Sequence, residues 1–283
     1  MADTVFRVSA PGSTANLGPG FDVLGLAIAL RAEVGSGPAP ADAHLLDEHH
    51  PATIAHRRAG GSATPLWSRS RLPMGRGLGY SGAVRAAGAM LAFVEANGPQ
   101  AARDEEFRAS AFEVAAELEG HPDNAAASVF GGLVIASPTS QVTQVPIGGD
   151  ASIVVWIPDT TTSTDHSRTQ LAPTIERADA VANIAAVANL IVGWMTGDPA
   201  ALRAGCSDRL HQPTRLAAVP ASAAALNAML EHGALSAWLS GSGPTVAALA
   251  SRSSADEIVA SLDGGTVRVL DIDTTGVAVD IDL

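Results

Sequence analysis

The sequence predicts an α+β fold, and three observations point to it. Strand-like and helix-like segments are mixed without strict alternation. The 283 residues are 47% hydrophobic and only 16% charged, enough apolar content for one large domain or two closely packed ones. Two glycine-rich turns, one between a strand and a helix and one between two strands, interrupt the pattern where chemistry is expected. A Pro- and Gly-marked boundary near 138–152, with Pro138, Pro146 and Gly148-Gly149, divides the chain into segments 1–150 and 151–283.

Val5 to Ala10 alternates as a strand, and Asp22 to Ala29 forms a second, with the polar run Pro11 to Gly20 between them. Residues 35–61 show no clear period. Leu66 to Leu72 reads as a short strand that delivers the chain into Pro73-Met-Gly-Arg-Gly-Leu-Gly-Tyr-Ser81. Val84, Ala87, Leu91 and Val94 then mark one face of a helix that stops at Asn97-Gly98. A second helix starts near Asp104, with Phe107, Ala111, Val114 and Leu118 on its apolar face, and ends at Gly120. His121-Pro-Asp-Asn124 reads as a polar turn, and Gly132 to Ser137 as a strand. Ala151 to Ile157 has the continuous apolar character of a strand buried on both faces. Helices dominate from Pro173 to about His232, broken near Gly197-Asp-Pro199 and Gln212-Pro213. Strands at Leu235 to Leu239, Thr245 to Ala250, Val267 to Ile272 and Val277 to Ile281, with a helix from Ala255 to Leu262, complete the set.

Composition excludes several classes of function. Longest among the apolar stretches, Ile184 to Met195 falls short of the roughly 20 residues a membrane span needs. The first residues carry no basic or apolar leader, so a cytoplasmic protein is expected. Cys206 is the only cysteine, which leaves no intramolecular disulfide and no cysteine zinc site. His44, His49 and His50 cluster without the carboxylate or cysteine framework of a metal centre. The net charge of -12 argues against nucleic acid, so small molecules are the expected partners. All 17 basic residues are arginine. Without lysine, a Walker-type phosphate site is ruled out, and anions must be met by Arg, backbone amides, helix N-termini or a metal.

Gly75, Gly77, Gly79 and Gly82 lie where a strand turns into a helix. Missing side chains there let backbone N–H groups converge on an anion, and the helix N-terminus adds partial positive charge. Arg76, inside the loop, suits phosphate. An ordinary turn capped by Ser81 is the structural alternative. Glu113 and Glu117 share a helix face and Glu119 ends it; solvated glutamates are the ordinary reading of such positions. Asn16 and Asp22 lie in a loop where short polar residues also serve as turn formers.

Pro73-Met-Gly-Arg-Gly-Leu-Gly-Tyr-Ser-Gly-Ala83 resembles the central motif of the GHMP kinases. Ala10-Pro-Gly-Ser-Thr-Ala-Asn-Leu-Gly-Pro-Gly-Phe-Asp-Val-Leu-Gly25 and Leu239-Ser-Gly-Ser-Gly-Pro-Thr245 match as well. Within that superfamily the first of these is most similar to the homoserine kinases, as are Glu119-Gly-His-Pro-Asp-Asn124, Ser163-Thr-Asp-His-Ser-Arg168 and Asp208-Arg-Leu-His-Gln-Pro-Thr-Arg215. The resemblance implies a two-lobe GHMP kinase fold with a ferredoxin-like C-terminal domain. It also implies transfer of the γ-phosphoryl of ATP, with Mg²⁺, to the side-chain hydroxyl of L-homoserine. A related kinase for another hydroxylated metabolite and a weakly catalytic ligand-binding relative are the alternatives.

By the same resemblance the nucleotide is held by Pro73, Gly75, Gly77, Leu78, Gly79, Tyr80, Ser81 and Gly82, and the metal by Ser81 and Glu119, with Glu117 as the alternative carboxylate. The amino acid meets Asn16, Asp22, His121, Asn124, Thr164, Arg168 and Arg215; Asp22 suits an α-ammonium group and the two arginines an α-carboxylate. Asn124, Asp123 and Arg76 are the catalytic candidates, Asp123 as a base. Tyr80, the chain's one tyrosine, stands where the family usually has a serine, and 35–65 has no counterpart of the asparagine that commonly holds adenine. No sequence feature fixes an oligomeric state; a homodimer is the candidate assembly.

Overall fold

A computed structural model describes residues 6–62, 65–137, 141–149 and 151–281. Two antiparallel sheets share one core. The first sheet contains β1 (Phe6–Ala15), β2 (Leu24–Ser36), β3 (His44–Leu45), β4 (Leu66–Ser70), β5 (Leu133–Ala136), β6 (Val142–Val145) and β11 (Ala278–Ile281). Its main path runs β11-β1-β2-β4-β3, and β5 joins the early half of β2 through Leu24↔Ile135 and Leu26↔Leu133. The second sheet contains β7 (Ala151–Ile157), β8 (Ser236–Leu239), β9 (Val246–Ser251) and β10 (Thr266–Leu270) in the order β10-β7-β9-β8. With helices after its first and third strands, this is the ferredoxin-like arrangement. The segment 138–140, which includes the expected boundary residue Pro138, lies outside the described residues.

Alternation explains why the second sheet is buried on both faces. Ile153, Val155, Ala247 and Leu249 face the main core, while Val154, Trp156, Val246 and Ala248 face a second cluster. Helices α9 (Pro220–Glu231) and α10 (Arg252–Ala260) cover that second face. Along the first sheet lie α1 (Pro51–Arg58), α2 (Tyr80–Asn97), α3 (Glu105–Glu119) and α4 (Asp123–Phe130). The limits of α3 follow local chemistry. Asp104 Oδ1 accepts hydrogen bonds from the amides of Glu106 (2.9 Å) and Phe107 (3.3 Å), and Gly120 closes the helix in the left-handed region.

Three expectations need correction. The strand expected over Val5 to Ala10 continues to Ala15, because the supposedly separate polar run pairs with β2 through Ser13↔Ala27 and Ala15↔Gly25 after a bulge at Pro11/Gly12. The featureless 35–61 segment contains β3 and α1, the latter capped by the His50 ring, whose Nδ1 accepts from Ala52 N. The polar turn 121–124 is only two residues of turn, since Asp123 already opens α4.

Between β7 and α9 the chain forms four further helices: α5 (Thr164–Thr169), α6 (Arg177–Thr196), α7 (Pro199–Ala204) and α8 (Gln212–Ala218). The apolar segment around 184–195 is longer than expected, because alanines before it extend α6 to 20 residues, long and apolar enough to cross a membrane by length and composition. One face of α6 is nevertheless built for protein. Asn183, Ala186, Leu190, Gly193 and Trp194 are buried, and Asn183 Nδ2 donates to Pro19 O at 2.7 Å.

Candidate active site

The phosphate-loop glycines sit at the base of a cleft of about 180 Å³ lined by both sheets' loops. Gly75, Gly77 and Gly79 alternate in the left-handed region, at φ of 67°, 75° and 67°. Two of them also leave no room for a side chain: a Cβ on Gly77 would lie 2.4 Å from Ser240 O, and one on Gly79 2.1 Å from Ser13 Oγ. The loop is tied on both sides, by Ser240 Oγ donating to Gly77 O (2.6 Å) and Ser13 N donating to Leu78 O (3.1 Å). Gly79 is the residue that precedes α2, and no side chain caps the helix. Ser81 lies within the helix and is not its cap, so the first-turn amides of an 18-residue helix stay open to an anion.

Arg76 lines the cleft, but its Nη1 donates to the Pro158 carbonyl at the end of the second sheet. A different arginine meets the hydroxyl and carboxylate of this end. Arg85, one turn after Ser81, donates through Nη1 to both Ser81 Oγ and Glu119 Oε1. Glu117 is 59% exposed and pairs with Arg58, so it takes no part. Among the described residues no group of three or more His, Cys, Asp or Glu could hold a metal. A divalent cation here would draw on bound phosphate oxygens and water, and the Ser81 hydroxyl and Glu119 carboxylate are the hard oxygen donors that suit Mg²⁺. The guanidinium nitrogen between them indicates that this position accepts positive charge.

From Glu119 a polar chain crosses the cleft. His121 Nε2 is 3.8 Å from Glu119 Oε2, and His121 Nδ1 is 2.8 Å from Asp123 Oδ1. That same oxygen accepts the Asn124 amide at 2.8 Å, and Ser13 Oγ donates to Asn124 Oδ1 at 2.8 Å. Asp123 is only 2% exposed, held at the start of α4.

At the other end the site is made of side chains. Arg168 grips Asp22 with a fork, Nη1 to Oδ2 at 2.9 Å and Nη2 to Oδ1 at 2.6 Å. These bonds hold the Arg168 guanidinium pKa above its ordinary value, against the effect of burial. Asn16, Leu17 and Asp22 all have positive φ, the three such non-glycine residues among those described. Asn16 sustains that shape: its Oδ1 accepts the Asp22 amide (3.0 Å) and its Nδ2 donates to Gly241 O (3.1 Å). Arg215 donates to the same Gly241 carbonyl at 3.0 Å, and its Nε is buried without a partner. Burial and the nearby Arg168 charge pull the Arg215 pKa down. Thr164 Oγ1 is 3.3 Å from Ser242 Oγ, which joins the α5 start to the second glycine-rich turn.

Every residue given a binding or catalytic role from the sequence, apart from the alternative carboxylate Glu117, lines this one cleft. Sequence reasoning missed Arg85, Phe21 and His211. Phe21 carries Arg168 and Arg215 at 5.5 and 5.2 Å from its ring centre and stacks on His211 at 5.0 Å. His211 Nε2 donates to Gly18 O (2.8 Å), which leaves Nδ1 to accept from Arg215 Nη1 (3.2 Å). The four-residue spacing from Ser81 to Arg85 was the available signal for the first; Phe21 and His211 lie inside matched segments but carry no charge pattern.

Known families account for this arrangement. The N-terminal domain of the GHMP kinases matches residues 47–132 and their C-terminal domain matches 184–265. The chain belongs to the GHMP kinase family. Among similar proteins are the homoserine kinase of Thermus thermophilus, 38% identical over 86% of each chain, and that of Streptomyces coelicolor, 35% identical over 90% of this chain and 87% of the other. A crystal structure of homoserine kinase from Cytophaga hutchinsonii superposes with a TM-score of 0.83 at 25% identity, covering 99% of this chain and 98% of that one. A mevalonate kinase structure, with TM-score 0.64 at 14% identity, shares the fold.

Proposed function

We propose that this chain is a homoserine kinase, an ATP-dependent enzyme that phosphorylates the side-chain hydroxyl of L-homoserine to give O-phospho-L-homoserine, a step towards threonine. The observation that carries the acceptor is the Asp22–Arg168 fork with Arg215 beside it, in the same cleft as the glycine loop. A zwitterionic amino acid complements that set: its ammonium group takes Asp22, and its carboxylate takes the Arg168 and Arg215 guanidiniums. Binding exchanges an internal ion pair for two external ones. Thr164 borders the same end, and Asn16 keeps Asp22 in place.

The nucleotide's phosphates lie on the amides from Gly75 to Gly82, flanked by Pro73, Leu78 and Tyr80, and at the open N-terminus of α2. Ser81 and Glu119 would hold Mg²⁺, which offsets the negative charge spreading over the transferred phosphoryl group. Asn124, fixed by Ser13, and His121 orient the acceptor hydroxyl, and Asp123 receives its proton. In a loose transition state positioning matters more than basicity. Arg76 holds the loop to the second sheet through Pro158.

The lobes in this reading are 1–150 and 151–283, with β11 returned to the first sheet. The enzyme works in the cytoplasm. It pairs as a homodimer through the outer face of α6, where Val181, Ile184, Val192 and Met195 are exposed. In a chain of net charge -12 this stripe carries no carboxylate, so two copies can approach there without repulsion. Ile184→Glu would then shift sedimentation towards monomer. The functional reading is tested by a coupled ADP assay with MgATP and a panel of hydroxylated acceptors. Homoserine is expected to be turned over best; preference for an acceptor lacking an α-carboxylate would refute it.

A further inference from the structure

Arg85 has no part in the reaction as assigned, although it touches both proposed metal ligands. It lies on α2 one turn after Ser81, a spacing that places the two side chains on one helix face. Its Nη1 bonds both Ser81 Oγ and Glu119 Oε1. Ser81 and Glu119 line the cleft, and Arg85 packs against them: the Glu119 side chain is 9% exposed and that of Arg85 19%. Asp123, another buried carboxylate, follows through His121, so negative charge would accumulate here without a cation. The Arg85 Nε is buried with no hydrogen-bond partner, so that nitrogen does not help hold the guanidinium where it stands.

A metal bound to Ser81 Oγ and Glu119 would occupy the space that Arg85 Nη1 now fills, and two cations do not share one pair of ligands. We propose that Arg85 is the resident cation of the Ser81–Glu119 pair and competes with Mg²⁺ for it. The proposal rests on the reading of Ser81 and Glu119 as the metal ligands. With no nucleotide bound, the guanidinium neutralises Glu119 and holds Ser81. For Ser81 and Glu119 to hold a metal that comes with the nucleotide phosphates, Arg85 would have to leave these oxygens. Nucleotide without metal still meets positive charge at this end, so the metal adds less to nucleotide affinity than it would in a chain with a neutral side chain at 85.

The test is the affinity for a β,γ-imido ATP analogue, measured calorimetrically with Mg²⁺ and again in EDTA. The readout is the ratio of the two dissociation constants. Arg85→Met is expected to raise the metal's contribution about tenfold, the scale of a charge-assisted hydrogen bond. Arg85→Gln, which keeps a donor for Glu119 and guards against a folding defect, should move it the same way. An unchanged or smaller ratio in folded variants overturns the proposal. Glu119→Gln in the Arg85→Met background should abolish the gain; if the gain persists, Glu119 is not the ligand and the proposal falls with it. No acceptor is present, so failure of homoserine as substrate would be seen separately in the coupled assay.

Discussion

The two ends of the cleft solve charge recognition in opposite ways. At the proposed phosphate end the groups offered are backbone amides, fixed by left-handed glycines and by ties to Ser13 and Ser240. At the proposed acceptor end they are side chains, Asp22 and the two arginines Arg168 and Arg215 that lie over Phe21. Both ends quench their own charge before ligand arrives, Arg168 against Asp22 and Arg85 against Glu119. The difference teaches where specificity resides. In the proposed reading a backbone nest suits polyphosphates in general, whereas paired side chains of opposite sign suit a zwitterion.

The largest expected effect tests the assignment of charge stabilisation to the phosphate end. Glu119→Gln should lower kcat about 10²–10³-fold, the range for loss of one transition-state charge stabiliser, with the homoserine KM nearly unchanged. Steady-state kinetics would break the comparison if KM for homoserine rose instead. Next, Arg215→Met removes a buried donor from the acceptor end. The kcat/KM for homoserine should fall roughly 10–100-fold, corresponding to about 1.5–3 kcal/mol, while nucleotide affinity by calorimetry stays put. A parallel loss of nucleotide affinity would mean that the ends are not independent.

A smaller effect concerns pH. Burial, opposed by Asp208 and the Gly18 carbonyl, holds the His211 pKa below its ordinary value. The ring is neutral in the fold and accepts from Arg215, whereas the unfolded chain takes up a proton near pH 6.5. Its contribution to stability is therefore complete above about pH 6.5 and lost as pH falls towards the folded pKa. Thermal melts between pH 7.5 and 5.5 should show this decline, and His211→Gln should flatten it. Smallest of all is Tyr80→Phe, which removes the contact of 3.2 Å with His50 Nε2. About 1 kcal/mol, or a Tm lower by about 2–4 °C, is expected, with unchanged acceptor preference.

Local chemistry made much of this molecule legible in its sequence. Gly98 and Gly120 end α2 and α3 where expected, and Asp104 caps α3, because each signal acts within one turn of chain. The glycine spacing of 75–82 likewise specifies a backbone conformation directly, and the apolar run 151–157 reads as a strand buried on both faces, as Ile153 to Ile157 are. What lay beyond was decided by partners far along the chain. The extension of β1 to Ala15 depends on β2, and the Asp22–Arg168 fork joins residues 146 positions apart. Neither leaves a periodic trace. Arg85 reads locally as one more arginine on an alanine-rich helix; only the packing of α3 beside α2 delivers Glu119 to it. The sequence by itself determined most of the longer elements and the glycine loop between β4 and α2, since propensity and turn geometry are local. Tertiary structure alone decided which charges meet, because burial and pairing arise only when distant segments close on one another.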